Sequence, residues 1–348
     1  MSLTVVNVAY PFAAVGPDAA GGAEQVLTAL DKALTQAGHR SIVLASEDSV
    51  VSGMHWPVRK QEGAIDQRAR ARAWGIYRET IDTIRRSCKP DIVHLHGIDF
   101  HSYCPNEGAT LVTLHLPLSW YPKAALQDVR PGLWMNGVSE TQHRSSPRGA
   151  RLLSPIGNGV DVDAFSSRHA KRNFALFLGR LCAEKGVHLA IEAARKAGIA
   201  LMIGGKVFAY EEHEHYFKTQ IAPGLGPLCN FLGALTFTRK RRFLAAARCL
   251  LIPSLAEETS SLVAMEAMAC GTPVIGFRRG ALCEIVSDGR TGFLVENAEE
   301  MAEAIGSVAK LDASLCKAEA QARFSLGAMC TNYIERYHDL VGRWAAAA

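Results

Sequence analysis

The chain has 348 residues, 48% hydrophobic and 21% charged, with a formal net charge of +4. That length suits two domains of ordinary size with large buried cores. No apolar run reaches membrane-spanning length, and the mild charge falls short of a nucleic-acid footprint, so no nucleic-acid partner is expected. The nine cysteines show neither CxxC nor Cys/His zinc spacing, so no metal site is expected and they read as reduced core residues of a cytoplasmic protein. The start, MSLTVVNVAY, lacks a basic n-region and a cleavage site and reads as a first strand.

In chain order, residues 3–10 are an apolar strand running into the small-residue loop PFAAVGPDAAGG. A helix follows, with Val26, Leu27, Leu30, Ala33 and Leu34 on its apolar face and Gly38 at its end. Residues 41–45 are the next strand. Residues 64–87 read as a helix rich in arginine (Arg68, Arg70, Arg72, Arg78, Arg85, Arg86), with Ile65, Trp74, Ile76, Ile81 and Ile84 interspersed. Short strands are expected at 91–95, 110–114, 133–138 and 152–156. After the polar stretch 166–173, SSRHAKRN, the pattern restarts with strand 174–178, helix 187–197 and strand 200–203. Strands at 230–232, 249–252 and 274–277 continue it, and 328–346 is helical. Alternating strands and helices imply parallel sheets with right-handed crossovers.

The stretch 251–275, LIPSLAEETSSLVAMEAMACGTPVI, organises the second half. An apolar run ends at Pro253; Leu262, Met265, Glu266 and Ala269 fall at helical spacing; Gly271-Thr272-Pro273 stops that helix. This puts a loop and a helix N-terminus at the carboxyl end of a parallel strand, where open α/β sheets bind ligands and where anions are favoured. Glu258 and Glu266 frame that corner. A carboxylate beside a phosphate is electrostatically awkward unless it faces the hydroxyls or the developing positive charge of a sugar.

Three other sites carry chemistry. In FLGRLCAEKGVHLA, Arg180 and Lys185 sit in a strand-to-helix loop. Two fixed cations there suit a diphosphate, although an isolated pair of this kind also reads as an ordinary solvated loop. Gly21-Gly22-Ala23-Glu24 joins the first strand to the first helix; it is a tight turn or a close backbone approach to a ligand, and no GxGxxG occurs. His115, in TLHLP, follows a strand; by itself such a histidine is structural, as are His94 and His96 in VHLHG.

The pattern PS-x3-E-x7-E-A-M-A-C-G-T-P-V-I, with G-R-x4-K-G and Asn158-Gly159-Val160-Asp161, resembles the retaining family 4 glycosyltransferases of the GT-B fold. Within that family the chain is similar to bacterial glucosyltransferases of the UDP-glucose type. The resemblance implies two Rossmann-like domains facing a central cleft. Residues 1–165 with the terminal helix 328–348 would form the acceptor-side domain, and 166–327 the donor domain. It implies metal-independent transfer of a hexose, with retention, from a nucleotide diphosphate sugar (UDP-glucose or a related UDP-sugar) to a small-molecule acceptor. No cofactor is expected besides that co-substrate. The alternatives are a peripheral enzyme at the inner face of the membrane acting on a lipid-linked acceptor, with the Arg-rich helix on anionic lipid, and a catalytically silent nucleotide-sugar-binding protein.

By the same resemblance Glu258 lies at the donor sugar, Glu266 at the ribose, and Arg180 with Lys185 on the diphosphate. Gly22 approaches the diphosphate and His115 positions the sugar. Ser261 and Leu262, at the helix start, meet the donor. The family commonly has Gly-Phe-Gly-Leu after the first glutamate; here it is Thr259-Ser260-Ser261-Leu262, whose hydroxyls are expected to cap the helix. Asp161-Val162-Asp163 spells DxD, the metal-holding motif of GT-A transferases, but it falls inside the N-G-V-D context and Arg180 and Lys185 can neutralise the diphosphate. Ser139, in VSETQ, is a candidate to reach the acceptor, and Lys206 a candidate for a phosphate or an anionic acceptor. The basic run 239–242 starts a surface helix just after 235–237, where family members pass the nucleotide base. Segments 258–267 and 113–122 are also similar to ones in pterin glucosyltransferases, making a pterin one acceptor candidate.

Overall fold

The computed structural model describes residues 2–19, 21–63, 65–166 and 169–347. The chain divides into two compact units, Met1–Asn158 with Gly327–Ala348, and Gly159–Leu326.

The first unit is built on a seven-stranded sheet. Its strands are β1 (Thr4–Val8), β2 (Arg40–Ser46), β3 (Met54–Val58), β4 (Ile92–Leu95), β5 (Thr110–Thr113), β6 (Leu133–Asn136) and β7 (Leu152–Leu153). They lie in the order β3-β2-β1-β4-β5-β6-β7, every pairing parallel. The second unit carries β8 (Phe174–Leu178), β9 (Ala200–Gly204), β10 (Cys229–Gly233), β11 (Cys249–Ile252), β12 (Val274–Phe277) and β13 (Gly292–Val295). These run β10-β9-β8-β11-β12-β13, again all parallel. Both orders reverse beside their first strand, so each sheet has a doubly wound, Rossmann-like topology with a switch point, between β1 and β4 in one and between β8 and β11 in the other. The central strands are buried on both faces, which is why they read as continuous apolar runs such as TVVNV and CLLI.

Two features depart from the sequence reading. Strand β3, MHWPV, does not read as a strand in the sequence, where Pro57 interrupts it; Pro is tolerated there because β3 is the sheet edge. The division between units falls at Asn158, ahead of the polar stretch 166–173. Val160 donates its N–H to Phe324 O at 2.9 Å, and Leu326 donates to Val160 O at 3.1 Å, so the chain is stitched together where it enters and leaves the second unit. Arg172 N–H bonds Ala246 O at 2.7 Å, which holds the end of that polar stretch to the second unit. Residues 167, 168 and 64 lie outside the described set. The terminal helix, Leu326–Ala347, packs with the first unit and buries Tyr333 and Tyr337 there.

Candidate functional site

At the switch point of the second sheet, the loops leaving β8 and β11 are locked together. A single 3-10 turn, Ala183–Lys185, ends at Gly186 with φ +63°, and Gly186 then caps the helix Val187–Lys196. A Cβ at Gly186 would stand 2.1 Å from Pro253 O, so only glycine permits this approach. Leu255 donates its N–H to Glu184 O at 2.8 Å, and the Ser254 hydroxyl bonds the same carbonyl at 3.3 Å. Across this seam Lys185 Nζ donates to Glu258 Oε1 at 2.5 Å. The β12 loop supports Glu258 from behind. Ala281 N–H bonds Glu258 O at 2.6 Å, and Gly280 (φ +56°) leaves no room for a Cβ against the Glu258 backbone.

The helix Leu262–Ala269 follows. The N–H groups of Leu262 and Val263 at its start have no intrahelical partner by helix geometry and lie at the carboxyl end of β11, while Ala264 N–H bonds Ser261 O at 3.1 Å. Gly271 (φ +69°) ends it, with Gly271 N–H on Met268 O and Thr272 N–H on Ala267 O, a Schellman closure. Glu266 is buried one turn in, and Lys240 Nζ, from the helix Phe237–Ala246, donates to its Oε1 at 2.5 Å. Burial pushes the Glu266 carboxyl above its ordinary range, and the Lys240 charge and hydrogen bond pull it back. Lys240 also lies 5.2 Å from the centre of the Phe165 ring.

The expectation that hydroxyls cap this helix fails for Ser261. It holds the N-cap position, but its side chain makes no capping hydrogen bond. Ser260 Oγ is buried with no protein partner. A buried hydroxyl without a partner is costly, so this loop leaves hydrogen-bonding capacity pointed inward.

Arg180 is half-buried in the same loop as Lys185. Lys206 is exposed, its ammonium 5.3 Å from the Phe208 ring centre. Asp161 Oδ1 accepts from Ala164 N–H at 3.0 Å, so the first acid of the DxD spelling is the N-cap of the short helix Val162–Phe165.

The remaining candidates belong to the first unit. Gly22 opens the helix Gly22–Gln36 at the carboxyl end of β1. His115 follows β5, and its Nε2 is 3.0 Å from His96 Nδ1, with the two rings stacked. His94 lies behind them. Its Nδ1 is 2.7 Å from the Tyr337 hydroxyl and its Nε2 2.8 Å from Thr113 Oγ1. Thr113 Oγ1 also meets Tyr333 at 3.2 Å and Asn136 at 3.3 Å. Desolvation holds His115 down to about 3, and burial with mutual repulsion keeps His94 and His96 well below the usual histidine range. All three rings are therefore neutral at pH 7. The Ser139 hydroxyl accepts from Gln142 N–H at 3.2 Å and caps the helix Glu140–Arg144.

Residues 161–325 match the model for "Glycosyl transferases group 1", and residues 20–148 match "Glycosyltransferase Family 4". Each unit thus carries a match to a glycosyltransferase family model, and the two Rossmann-like units share the GT-B fold of the similar solved structures. A D-inositol 3-phosphate glycosyltransferase of Mycobacteroides abscessus is 32% identical over 182 residues, covering 48% of this chain and 40% of that protein. The chain spans about half the length, or less, of the curated relatives it matches. Among solved structures, the sucrose-phosphate synthase of Thermosynechococcus elongatus superposes with a TM-score of 0.80 at 19% identity, covering 98% of this chain and 100% of that one. The Anabaena protein HepE in complex with UDP-glucose superposes at 0.75 and 19% identity, covering 96% and 99%.

Two residues that bear on the candidate site residues are not legible as such in the sequence. Lys240 sits in the basic run Arg239-Lys240-Arg241-Arg242, which reads as a solvated face, yet it is the lysine on Glu266. The available signal was position: its helix follows the segment 235–237 that the resemblance places at the base. His96 reads as core, and it is core, but its Nδ1 lies 3.0 Å from His115 Nε2.

Proposed function

We propose that this chain is a retaining glycosyltransferase that moves a hexose from a nucleotide diphosphate sugar, UDP-glucose or a related UDP-sugar, to a small-molecule acceptor. One observation carries the reading: two carboxylates, Glu258 and Glu266, each bonded by a lysine, at the switch point of the second sheet. An acid paired with Lys185 can hand that cation to a diphosphate and turn to sugar hydroxyls. The UDP-glucose bound in the HepE complex and the polyol-phosphate acceptor named for the mycobacterial relative support the donor and acceptor classes.

In this mechanism the sugar becomes oxocarbenium-like as its bond to the diphosphate stretches, and the leaving group gains charge. Arg180 and Lys185 bind that charge more strongly than the ground state. Glu258 holds hydroxyls and offsets the positive ring, Glu266 takes the ribose, and Ser261 with Leu262 presents the helix start. The family resemblance assigns His115 to orienting the sugar and Gly22 to approaching the diphosphate. The acceptor attacks from the leaving-group side, and a departing phosphate oxygen takes its proton. Because two protein cations face the leaving group, turnover is expected to be independent of Mg²⁺.

The test is a thermal-shift screen against UDP-, GDP- and ADP-sugars. A ligand at about 100 times its dissociation constant adds roughly 2.7 kcal/mol of stability. Stabilisation by a UDP-sugar and not by the others supports the donor assignment. Activity abolished by EDTA and restored by Mg²⁺ would overturn the metal-free clamp.

A further inference from the structure

The loop that holds Arg180 and Lys185 also holds Cys182 and Glu184, and His213 of the helix Glu211–Tyr216 rises beside them. One ligand atom from each of Cys182, Glu184 and His213 lies within 4.8 Å of the other two. We propose that these three residues form a binding site for a divalent cation of the zinc class, distinct from the sugar-transfer chemistry.

The donor set selects the metal. Sulfur, imidazole nitrogen and a single carboxylate suit Zn²⁺, whereas Mg²⁺ and Ca²⁺ take oxygen cages. Three protein ligands and one water complete a tetrahedron. Cys182 is fully buried; its thiol makes a long 3.9 Å hydrogen bond to Arg180 O and also interacts with the Glu184 carboxylate. His213 Nδ1 is buried with no hydrogen-bond partner. Buried polar nitrogens are normally satisfied, and a cation here would satisfy this one.

Geometry and charge set what binding requires. Zinc bonds of about 2.0–2.3 Å put tetrahedral ligand atoms about 3.3–3.8 Å apart, so a cluster within 4.8 Å closes by at most about 1.5 Å on loading. Glu184 is exposed and His213 half-buried, so side-chain rotation supplies that movement. The Arg180 guanidinium is a like charge nearby, opposed by the new thiolate, by Glu184 and by Glu211, Glu212 and Glu214 on the facing helix. Loading brings two positive charges and releases the thiol proton, so the loop gains one positive charge. The bound cation would therefore pin the 179–186 loop to the helix Glu211–Tyr216 and raise the potential beside Arg180 and Lys185. The spacing 182, 184 and 213 matches no sequence motif for zinc, because the third ligand arrives from another element.

The experiment uses the full-length, reduced, chelator-treated protein titrated with Co²⁺. The expected result is a near-ultraviolet thiolate-to-cobalt band with the intense visible bands of four-coordinate cobalt, all displaced by Zn²⁺. Cys182→Ser should abolish the thiolate band, whereas Cys283→Ser, at the exposed cysteine, should leave it. His213→Ala should weaken Zn²⁺ binding by at least the roughly 10–100-fold that loss of an outer-shell partner costs. Melting curves check that each variant folds, and Glu184→Gln replaces Cys182→Ser if the latter does not. No band, a band that survives Cys182→Ser, or unchanged affinity in His213→Ala and Glu184→Gln would overturn the proposal.

Discussion

Lys185 and Glu258 come from loops of neighbouring strands, β8 and β11, and meet at 2.5 Å over the switch point between them. The carboxylate is nearly buried and the lysine partly open; in the proposed mechanism an incoming diphosphate would compete for the ammonium and free the carboxylate for sugar hydroxyls. Lys185→Ala and Glu258→Gln should each lower turnover by about 10²–10³, with smaller changes in donor affinity. Because the two act as one unit, the double variant should be little worse than either single one. Steady-state kinetics decides this. Turnover near wild type with only KM raised would mean that they supply uniform binding.

Glu266 depends on Lys240 in a different way. Its carboxylate lies deeper, and Lys240 balances the cost of burying it. Lys240→Ala should destabilise the fold by about 1–3 kcal/mol in urea denaturation, since a buried acid loses its partner. Glu266→Ala should weaken UDP binding in calorimetry while the protein stays folded. Unchanged UDP affinity would remove the ribose assignment.

The contrast between these pairs explains what the sequence could convey. Chain order placed Arg180, Lys185, Glu258 and Glu266 in short local patterns at strand ends, where the structure also has them, while the roles proposed for them came from the family resemblance. Lys240 was not legible, because its meaning comes from a partner 26 residues away. The buried strands were legible as apolar runs; β3 was not, since an edge strand tolerates Pro57 and alternation is weak. The capping expectation for Ser261 failed for a further reason: residue type favours a cap, but the tight passage from β11 sets its backbone at φ −127°, ψ 89° and its hydroxyl makes no capping bond.

The neutral histidines His94, His96 and His115 make acid stability a readout of the first unit. Their folded pKa values are depressed, so the native state resists protonation while the unfolded chain takes up protons below about pH 6.5. Stability should therefore be fully present above that pH and fall below it, by about 1.4 kcal/mol per pH unit for each such histidine. Denaturation midpoints between pH 7 and pH 5 should show this, with a shallower slope in His96→Gln. An unchanged slope in that variant would place the proton uptake elsewhere.

The Arg-rich helix, Gln67–Cys88, gives its apolar face to the core through Ala69, Ala73, Tyr77, Ile81 and Ile84. The arginines it shows to solvent are Arg68, Arg70, Arg72, Arg78 and Arg86, and its exposed large apolar residue is Ile76, too little apolar surface for insertion into lipid. Among the described residues no helix is long and apolar enough to cross a membrane. Co-sedimentation with anionic vesicles should therefore be weak and disappear with salt. Strong binding at 0.15 M salt would favour the lipid-linked acceptor instead.

The most direct test of the central claim needs no acceptor. The protein is incubated with UDP-glucose, released UDP is measured, and the anomeric proton of the first-formed glucose is followed by NMR before mutarotation. A retaining transferase frees UDP and yields the α-anomer first, and Arg180→Ala loses both signals together. A β-anomer formed first, or no release of nucleotide from UDP-, GDP- or ADP-sugars, would contradict the account.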